Sequence, residues 1–340
     1  MPRADETKAE RIPVTVITGF LGSGKTTLIN RILKEQHGRK IAVIENEFGE
    51  VGVDDGIVLS SQENILEMNN GCICCTVRGD LIKILKKLHK RKNKIEHVII
   101  ETTGLADPAP VAQTFFVDDD VQEHYHLDAI ITIVDAKHLI QHLDDEKPEG
   151  VENEAVEQLA FADRVLLNKT DLVTPEEKQE VIKRIKAINR TADVIETVQS
   201  NVPLERILDI KAFSLERILE DEPTFLESDG ADHQHDSSVT SVGIELEGDM
   251  DMRKLDNWLT IILKEKGTDI FRSKGILSFK GTTDKFVFQG VHMLMGFASS
   301  GEGVGRPWQE GEKRVNRIVF IGRNLNREEL NASFRACLAD

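Results

Sequence analysis

The chain has 340 residues, long enough for two domains with buried cores. Its 59 acidic and 43 basic residues give a formal net charge of −16, which excludes nucleic acid or an anionic membrane as the main partner, since both need clustered Lys and Arg. No apolar run is long enough to span a bilayer, residues 1–11 are polar with no secretory apolar stretch, and three of the four cysteines crowd into residues 72–75, which is no disulfide framework; a reducing, cytoplasmic setting is expected.

Residues 12–18 (IPVTVIT) predict a buried strand and residues 25–36 an amphipathic helix. Between them Gly19-Phe-Leu-Gly-Ser-Gly24-Lys25-Thr26-Thr27 fits G-x-x-x-x-G-K-[ST], a loop whose backbone N–H groups cradle a polyphosphate. Gly19, Gly22, Ser23, Gly24 and Thr27 are candidates for phosphate contact, Lys25 for reaching the β- and γ-phosphates, and Thr26 for Mg²⁺. A strand at 41–45 precedes the acidic, glycine-containing segment 46–55 (NEFGEVGVDD), which reads as a switch loop able to meet Mg²⁺ or the γ-phosphate through Glu47 or Asp54.

Gly71-Cys72-Ile73-Cys74-Cys75 follows. Thiolates in this spacing suit a tetrahedral Zn²⁺, with Glu45, Glu47 or Glu50 completing an exchangeable shell; a redox dithiol and plain burial are the alternatives. Residues 80–92 predict a helix with Leu81, Leu85 and Leu88 on its inner face and the basic run 83–94 solvated. The strand 97–101 ends in Glu101, placed to hold Mg²⁺ or its waters, and Gly104 lets the next backbone approach a γ-phosphate. Strands are also expected at 129–135, 164–167 and 193–198, and helices at 153–162 and 175–189, the latter with Thr174 as N-cap and Pro175 at its first position.

Directly after the strand 164–167 comes Asn168-Lys169-Thr170-Asp171. A carboxylate at Asp171 can accept from guanine N1–H and N2–H₂, a donor pair adenine lacks, while Lys169 lays its stem on the purine face; GTP is preferred over ATP. The β-α alternation predicts a mostly parallel sheet covered on both faces, with ligands beyond the carboxyl ends of its strands. Residues 1–226 form this unit. The polar stretch 227–238, with His233 and His235, reads as a linker. Residues 239–340 predict a smaller α+β domain, with strands at 239–246, 276–280, 285–294 and 315–321 and helices at 250–264 and 327–338.

GFLGSGKTTL, ENEFGEVGVD, GCICC, ETTGLADP and NKTD, in this order, closely resemble the CobW family of P-loop GTPases, also called zinc-regulated GTPase metalloprotein activators. FVFQGV, RPW and RVNRIVFIGRNL resemble the family's C-terminal domain. The resemblance implies a GTP hydrolase that delivers a transition metal, most often zinc, to client metalloproteins. By position it makes Gly19 to Thr27 the phosphate and Mg²⁺ loop, Glu101 the Walker B acid, Asn168, Lys169 and Asp171 the guanine readers, and Cys72, Cys74 and Cys75 the metal ligands. Two features depart from the family. The linker histidines are few, and residues 1–11 lack the Cys-Pro-Glu-Leu docking motif that some eukaryotic members use for a methionine aminopeptidase. The oligomeric state stays open.

Overall fold

The structure is a computed structural model and describes residues 11–35, 38–45, 57–59, 65–69, 77–90, 95–145, 147, 153–213, 239–299 and 307–339. Eight strands form the first sheet: β1 (Ile12–Thr18), β2 (Ile41–Glu45), β3 (Ile57–Leu59), β4 (Ile65–Asn69), β5 (His97–Glu101), β6 (Tyr125–Asp135), β7 (Arg164–Asn168) and β8 (Asp193–Glu196). Their order is β3-β4-β2-β5-β1-β6-β7-β8, parallel throughout except for β3, which runs against β4. The helices in sequence are α1 (Lys25–Lys34), α2 (Val77–Lys90), α3 (Ala109–Val117), α4 (Asp119–His124), α5 (Leu139–Leu143), α6 (Glu154–Phe161) and α7 (Pro175–Ile188).

Alternation along the strands builds two cores. Val14 and Val16 of β1 and Val98 and Ile100 of β5 face one layer, with α2, α3, α6 and α7. Ile17, Ile99, Ile131 and Leu166 face the other, where α1 inserts Leu28, Ile29 and Ile32. Successive strand residues point to opposite faces, so strands covered on both sides read as continuous apolar runs. The start of α7 is a capping box: Thr174 Oγ1 accepts from the Glu177 N–H at 3.2 Å, and a Glu177 carboxylate oxygen accepts from the Thr174 N–H at 2.9 Å.

From residue 239 the chain forms an antiparallel sheet, β12-β11-β10-β13-β9, from β9 (Val239–Glu247), β10 (Ile270–Ser278), β11 (Lys285–Val291), β12 (Leu294–Ser299) and β13 (Val315–Arg323). Helices α8 (Met252–Lys266) and α9 (Arg327–Arg335) cover one face over Ile244, Leu277, Ile318 and Phe320. The neighbouring residues Phe271, Val319 and Ile321 point the other way and join the core of the parallel sheet. The same two-residue period thus serves the domain's own core and its docking.

Several elements differ from the sequence reading. The expected strand 285–294 is a hairpin, β11 and β12, turning at His292 with φ 51°; no Gly or Asn announces that turn. The strand expected at 276–280 begins six residues earlier, at Ile270. Helix α3 was not anticipated because APVAQTFFV is apolar on most sides and buries Ala109, Val111, Ala112, Thr114 and Phe115, so no amphipathic period marks it. The segment 46–55, Cys72, Cys74, Cys75, Glu47, Glu50, Asp54, His233 and His235 lie outside the described residues.

A buried charge cluster joins the two sheets. Asp163, just before β7, accepts from Arg272 Nη2 at 2.6 Å, from Lys274 Nζ at 3.1 Å and from the Ile130 N–H at 2.9 Å. Burial would raise the Asp163 carboxyl, but the charges of Arg272 and Lys274 and these hydrogen bonds outweigh it and hold it below the ordinary carboxylate value. Removing one partner strands the others in low dielectric. Asp163→Ala is therefore expected to destabilise the protein by about 3–5 kcal/mol in urea denaturation at neutral pH. A depressed carboxyl contributes stability above its unfolded pKa and loses it as pH falls through its folded pKa, so the deficit of the variant should shrink as both proteins are acidified.

Candidate nucleotide site

The glycines of residues 19–24 each do a separate job. Gly19 (φ 139°) lies so close to β6 that a Cβ would sit 2.1 Å from the Ile133 carbonyl oxygen. Gly24 (φ 118°) packs on the end of β7, where a Cβ would meet Asn168 Nδ2 at 2.4 Å. Gly22 (φ 79°) faces open space; only its left-handed backbone requires glycine. The loop is pressed onto strand ends at both margins and open between them, where α1 begins. That shape fits a polyphosphate at a helix N-terminus.

Lys25 folds back over the loop, with Nζ donating to the Gly19 carbonyl at 2.6 Å and the Phe20 carbonyl at 3.3 Å. Burial lowers its pKa, and the Glu101 carboxylate opposes that shift. Glu101 ends β5 in register with Ile17 and is largely buried. Thr26 and Thr27, in the first turn of α1, are exposed. After β5, the Thr102 N–H donates to the Ile17 carbonyl at 2.9 Å and its hydroxyl to Thr18 Oγ1 at 2.9 Å. Gly104 then comes close enough to the loop that a Cβ would meet Leu21 N at 2.7 Å.

The Asn168-Asp171 segment is joined to this loop through one side chain. Asn168 Nδ2 donates to the Ser23 carbonyl at 2.9 Å and to Ser200 Oγ at 3.1 Å. Its Oδ1 accepts from the Ser200 N–H at 2.8 Å and from Thr197 Oγ1 at 3.1 Å. Ser200 Oγ in turn donates to the Gly24 carbonyl at 3.0 Å. Lys169 sits in the left-handed region (φ 60°), which ends β7 and starts the 3₁₀ turn Thr170–Leu172. Its Nζ donates to Asp135 Oδ2 at 2.6 Å. Asp171 is exposed on that turn.

Asp135 also accepts from the Lys137 N–H at 2.8 Å and contacts His138 Nδ1 at 3.0 Å. Burial pushes its carboxyl up, and the hydrogen bonds from Lys169, His138 and the Lys137 N–H more than reverse this, so its pKa lies below the ordinary value.

Gly19, Gly22, Ser23, Gly24, Lys25, Thr26, Thr27, Glu101, Asn168, Lys169 and Asp171 therefore lie along one edge of the sheet, the carboxyl ends of β1, β5 and β7. The expected thiol ligands fall outside the described residues. Among the described residues no group of three or more His, Cys, Asp or Glu could hold a metal, and Cys337 is buried and free. No helix of the described residues is long and apolar enough to cross a membrane.

Sequence reasoning missed Asp135, Thr197 and Ser200. Asp135 carried the same signal as Glu101, an acid closing an apolar strand. Ser200 carried none: it lies in a turn where Gln199 and Ser200 adopt φ 51° and 52° without a glycine.

A glycine loop seated between a strand and a helix, tied through a buried asparagine to an N-K-x-D turn, defines a P-loop nucleotide-binding protein. The family model for the CobW/HypB/UreG nucleotide-binding domain matches residues 13–196, and that for the cobalamin synthesis protein CobW C-terminal domain matches residues 239–338. The chain belongs to the CobW family of P-loop GTPases. It is 37% identical over 328 residues to the zinc chaperone YjiA of Escherichia coli, covering 95% of this chain and 98% of that protein. It is 33% identical over 351 residues to zinc-regulated GTPase metalloprotein activator 1 of Schizosaccharomyces pombe, covering 93% of this chain and 83% of that protein. The crystal structure of Zn(II)-bound YjiA GTPase from E. coli superposes with a TM-score of 0.77 at 31% identity, over 97% of this chain and all of that one.

Ser200→Ala removes the hydroxyl between Asn168 and Gly24 and leaves one Asn168 donor unpaired. Nucleotide affinity is expected to fall by about tenfold, for GTP and GDP alike, in a titration with fluorescent analogues, because the change lies at the Asn168 end of the loop, across from the β5 side.

Proposed function

We propose that the chain is a GTP-driven metallochaperone, which binds zinc at Cys72, Cys74 and Cys75 with Glu47 and passes it to an apo-metalloprotein client. Residues 1–226 make up the GTPase unit, 227–238 a linker, and 239–340 a client-facing or regulatory domain. Gly19 to Thr27 hold the phosphates, with Lys25 against the β- and γ-phosphates. Thr26 and Glu101 hold Mg²⁺, which when bound neutralises charge on those phosphates. Asn168 fixes the base side, Lys169 lies on the purine face, and Asp171 accepts from guanine. The names of the two relatives, a zinc chaperone and a zinc-regulated GTPase metalloprotein activator, support the cargo.

The observation that carries this reading is a backbone register. Glu45 closes β2 and Asn69 closes β4, and the two are paired neighbours in parallel strands at the nucleotide edge of the sheet. Glu47 lies two residues beyond one end and Cys72 three beyond the other. At about 3.5 Å of reach per residue, and with strands about 4.8 Å apart, both stay within a short span of that edge. A carboxylate and a thiol that leave one edge together can share a metal and answer to the same phosphate.

The coupling has a thermodynamic requirement. Zinc must bind the GTP state better than the GDP state, and zinc must then tighten GTP by the same factor. Hydrolysis removes the γ-phosphate contacts, the 46–55 segment relaxes, and the metal is released to the client.

Zinc competition against a chelator should return a tighter dissociation constant with a non-hydrolysable GTP analogue than with GDP; equal constants would end the delivery model. Cys72→Ser and Cys74→Ser should each weaken zinc, whereas unchanged affinity would favour a thiol redox role. Asp171→Asn should cut the preference for GTP over ATP by about a hundredfold, read by competition binding.

A further inference from the structure

Gln158, in the middle of α6, is 1% exposed. Its Nε2 donates to the Gly104 carbonyl at 3.1 Å and the Ala106 carbonyl at 3.3 Å. Its main-chain carbonyl accepts from Thr132 Oγ1 of β6 at 2.7 Å. Its Oε1 has no hydrogen-bond partner among the described residues. A buried amide that spends its donors on one loop and leaves its acceptor idle is poorly explained as self-compensating core polarity. What it does is hold residues 104–106.

Those residues belong to the stretch that leaves β5 at Glu101 and touches the P-loop at Leu21. Thr102 binds it to β1 from one side, and Gln158 grips it from the other. One turn along the same helix, the Phe161 carbonyl accepts from Arg272 Nη1 at 2.7 Å. The Phe161 ring packs on Phe271 and His292, with ring centroids 5.6 and 5.1 Å away. Asp163, two residues on, carries the buried pairs to Arg272 and Lys274. Helix α6 is held at Gln158 by the loop beside the phosphates and at its C-terminal end by the antiparallel sheet.

We infer that Gln158 is a positioning residue for GTP hydrolysis: it sets the 102–107 loop against the γ-phosphate, and its helix makes the seating of the C-terminal domain part of that setting. The inference rests on that loop being the one that meets the γ-phosphate. It concerns neither zinc nor a client. Gln158 is buried behind the loop, with both donors engaged by its carbonyls, and acts through it.

The test uses the full chain without zinc. Gln158→Leu should lower kcat for GTP by roughly tenfold, the scale of one or two lost hydrogen bonds. It should weaken a non-hydrolysable GTP analogue while leaving GDP affinity within about twofold, because GDP has no group for the loop to meet. A merely structural residue would lower both affinities together. Gln158→Glu keeps the shape but exchanges the donors for an acceptor facing two carbonyls; it should show the same asymmetry and serves if the leucine variant fails to fold. Arg272→Met should give a weaker form of the same defect, and the Gln158→Leu/Arg272→Met double variant should be no worse than Gln158→Leu alone. Defects that multiply in the double variant overturn the link to the C-terminal domain, and an unchanged kcat or an equal loss of GDP affinity overturns the role of Gln158. Gly104→Ala separates the two levels. If it leaves the ratio of GTP-analogue to GDP affinity unchanged, the loop itself was wrongly read. If it moves that ratio and both Gln158 variants do not, the inference alone falls.

Discussion

The nucleotide site depends on the side-chain amide of Asn168. A carboxamide has two N–H donors and an oxygen with two lone pairs. Asn168 uses all four, reaching Ser23, Thr197 and twice to Ser200 while almost fully buried. Asn168 itself ends β7, and its partners come from two further stretches, the P-loop and the turn after β8. No apolar residue could hold these together, because the groups it left behind would each be buried and unsatisfied. The amide therefore sets the distance between the P-loop and the Asn168–Asp171 turn. That explains the demand for glycine at residue 24: the same amide leaves no room for a Cβ.

Around this point the sheet supplies the frame. Parallel strands put every carboxyl end on one edge, so Thr18, Glu101, Asp135 and Asn168 finish close together without any of them being neighbours in sequence. Covering both faces with helices keeps the edge rigid, since each strand is locked by packing on two sides. The antiparallel sheet joins this frame through alternating residues of β10 and β13 and through the Asp163 cluster. Buried ion pairs gain little net stability against well-packed apolar residues. Asp163, Arg272 and Lys274 contribute something else: this relative placement of the sheets satisfies all three charges and the Phe161 carbonyl together.

Much of this was legible in the residues. Continuous apolar runs marked β1, β5 and β7 because strands covered on both faces must be apolar throughout. The P-loop and N-K-x-D were legible because their chemistry needs fixed residue types at fixed spacing. The N-cap of α7 at Thr174 was legible because its signal is local. What escaped was non-local or unmarked. Helix α3 hid because a helix buried on most sides has no polar face to set a period. The hairpin at His292 hid because its strained turn uses no glycine. Ser200 and Gln158 hid because a hydrogen bond between residues far apart in sequence leaves no trace in either neighbourhood; each looks like an ordinary polar residue until the sheet brings its partner alongside.

The two kinds of contact to the P-loop differ in what they can transmit. The Asn168 network is saturated and buried, and it bonds the main-chain groups of Ser23, Gly24 and Ser200, so it fixes the β7 end of the P-loop. The 102–107 stretch is different. It is fastened at Thr102 and at Gln158, yet Gly104 carries no side chain to wedge it, and Leu105 next to it stands 70% exposed. It is held through main-chain carbonyls by a single side chain, Gln158, and by a close backbone approach at Gly104, with no saturated amide network like that of Asn168. On the proposed reading, sensitivity to the terminal phosphate belongs to the β5 side of the cradle and constancy to the β7 side. The β2 and β4 ends, from which the 46–55 segment and the cysteine run depart, lie on the β5 side. The proposed metal site would then stand next to the β5 side of the nucleotide pocket.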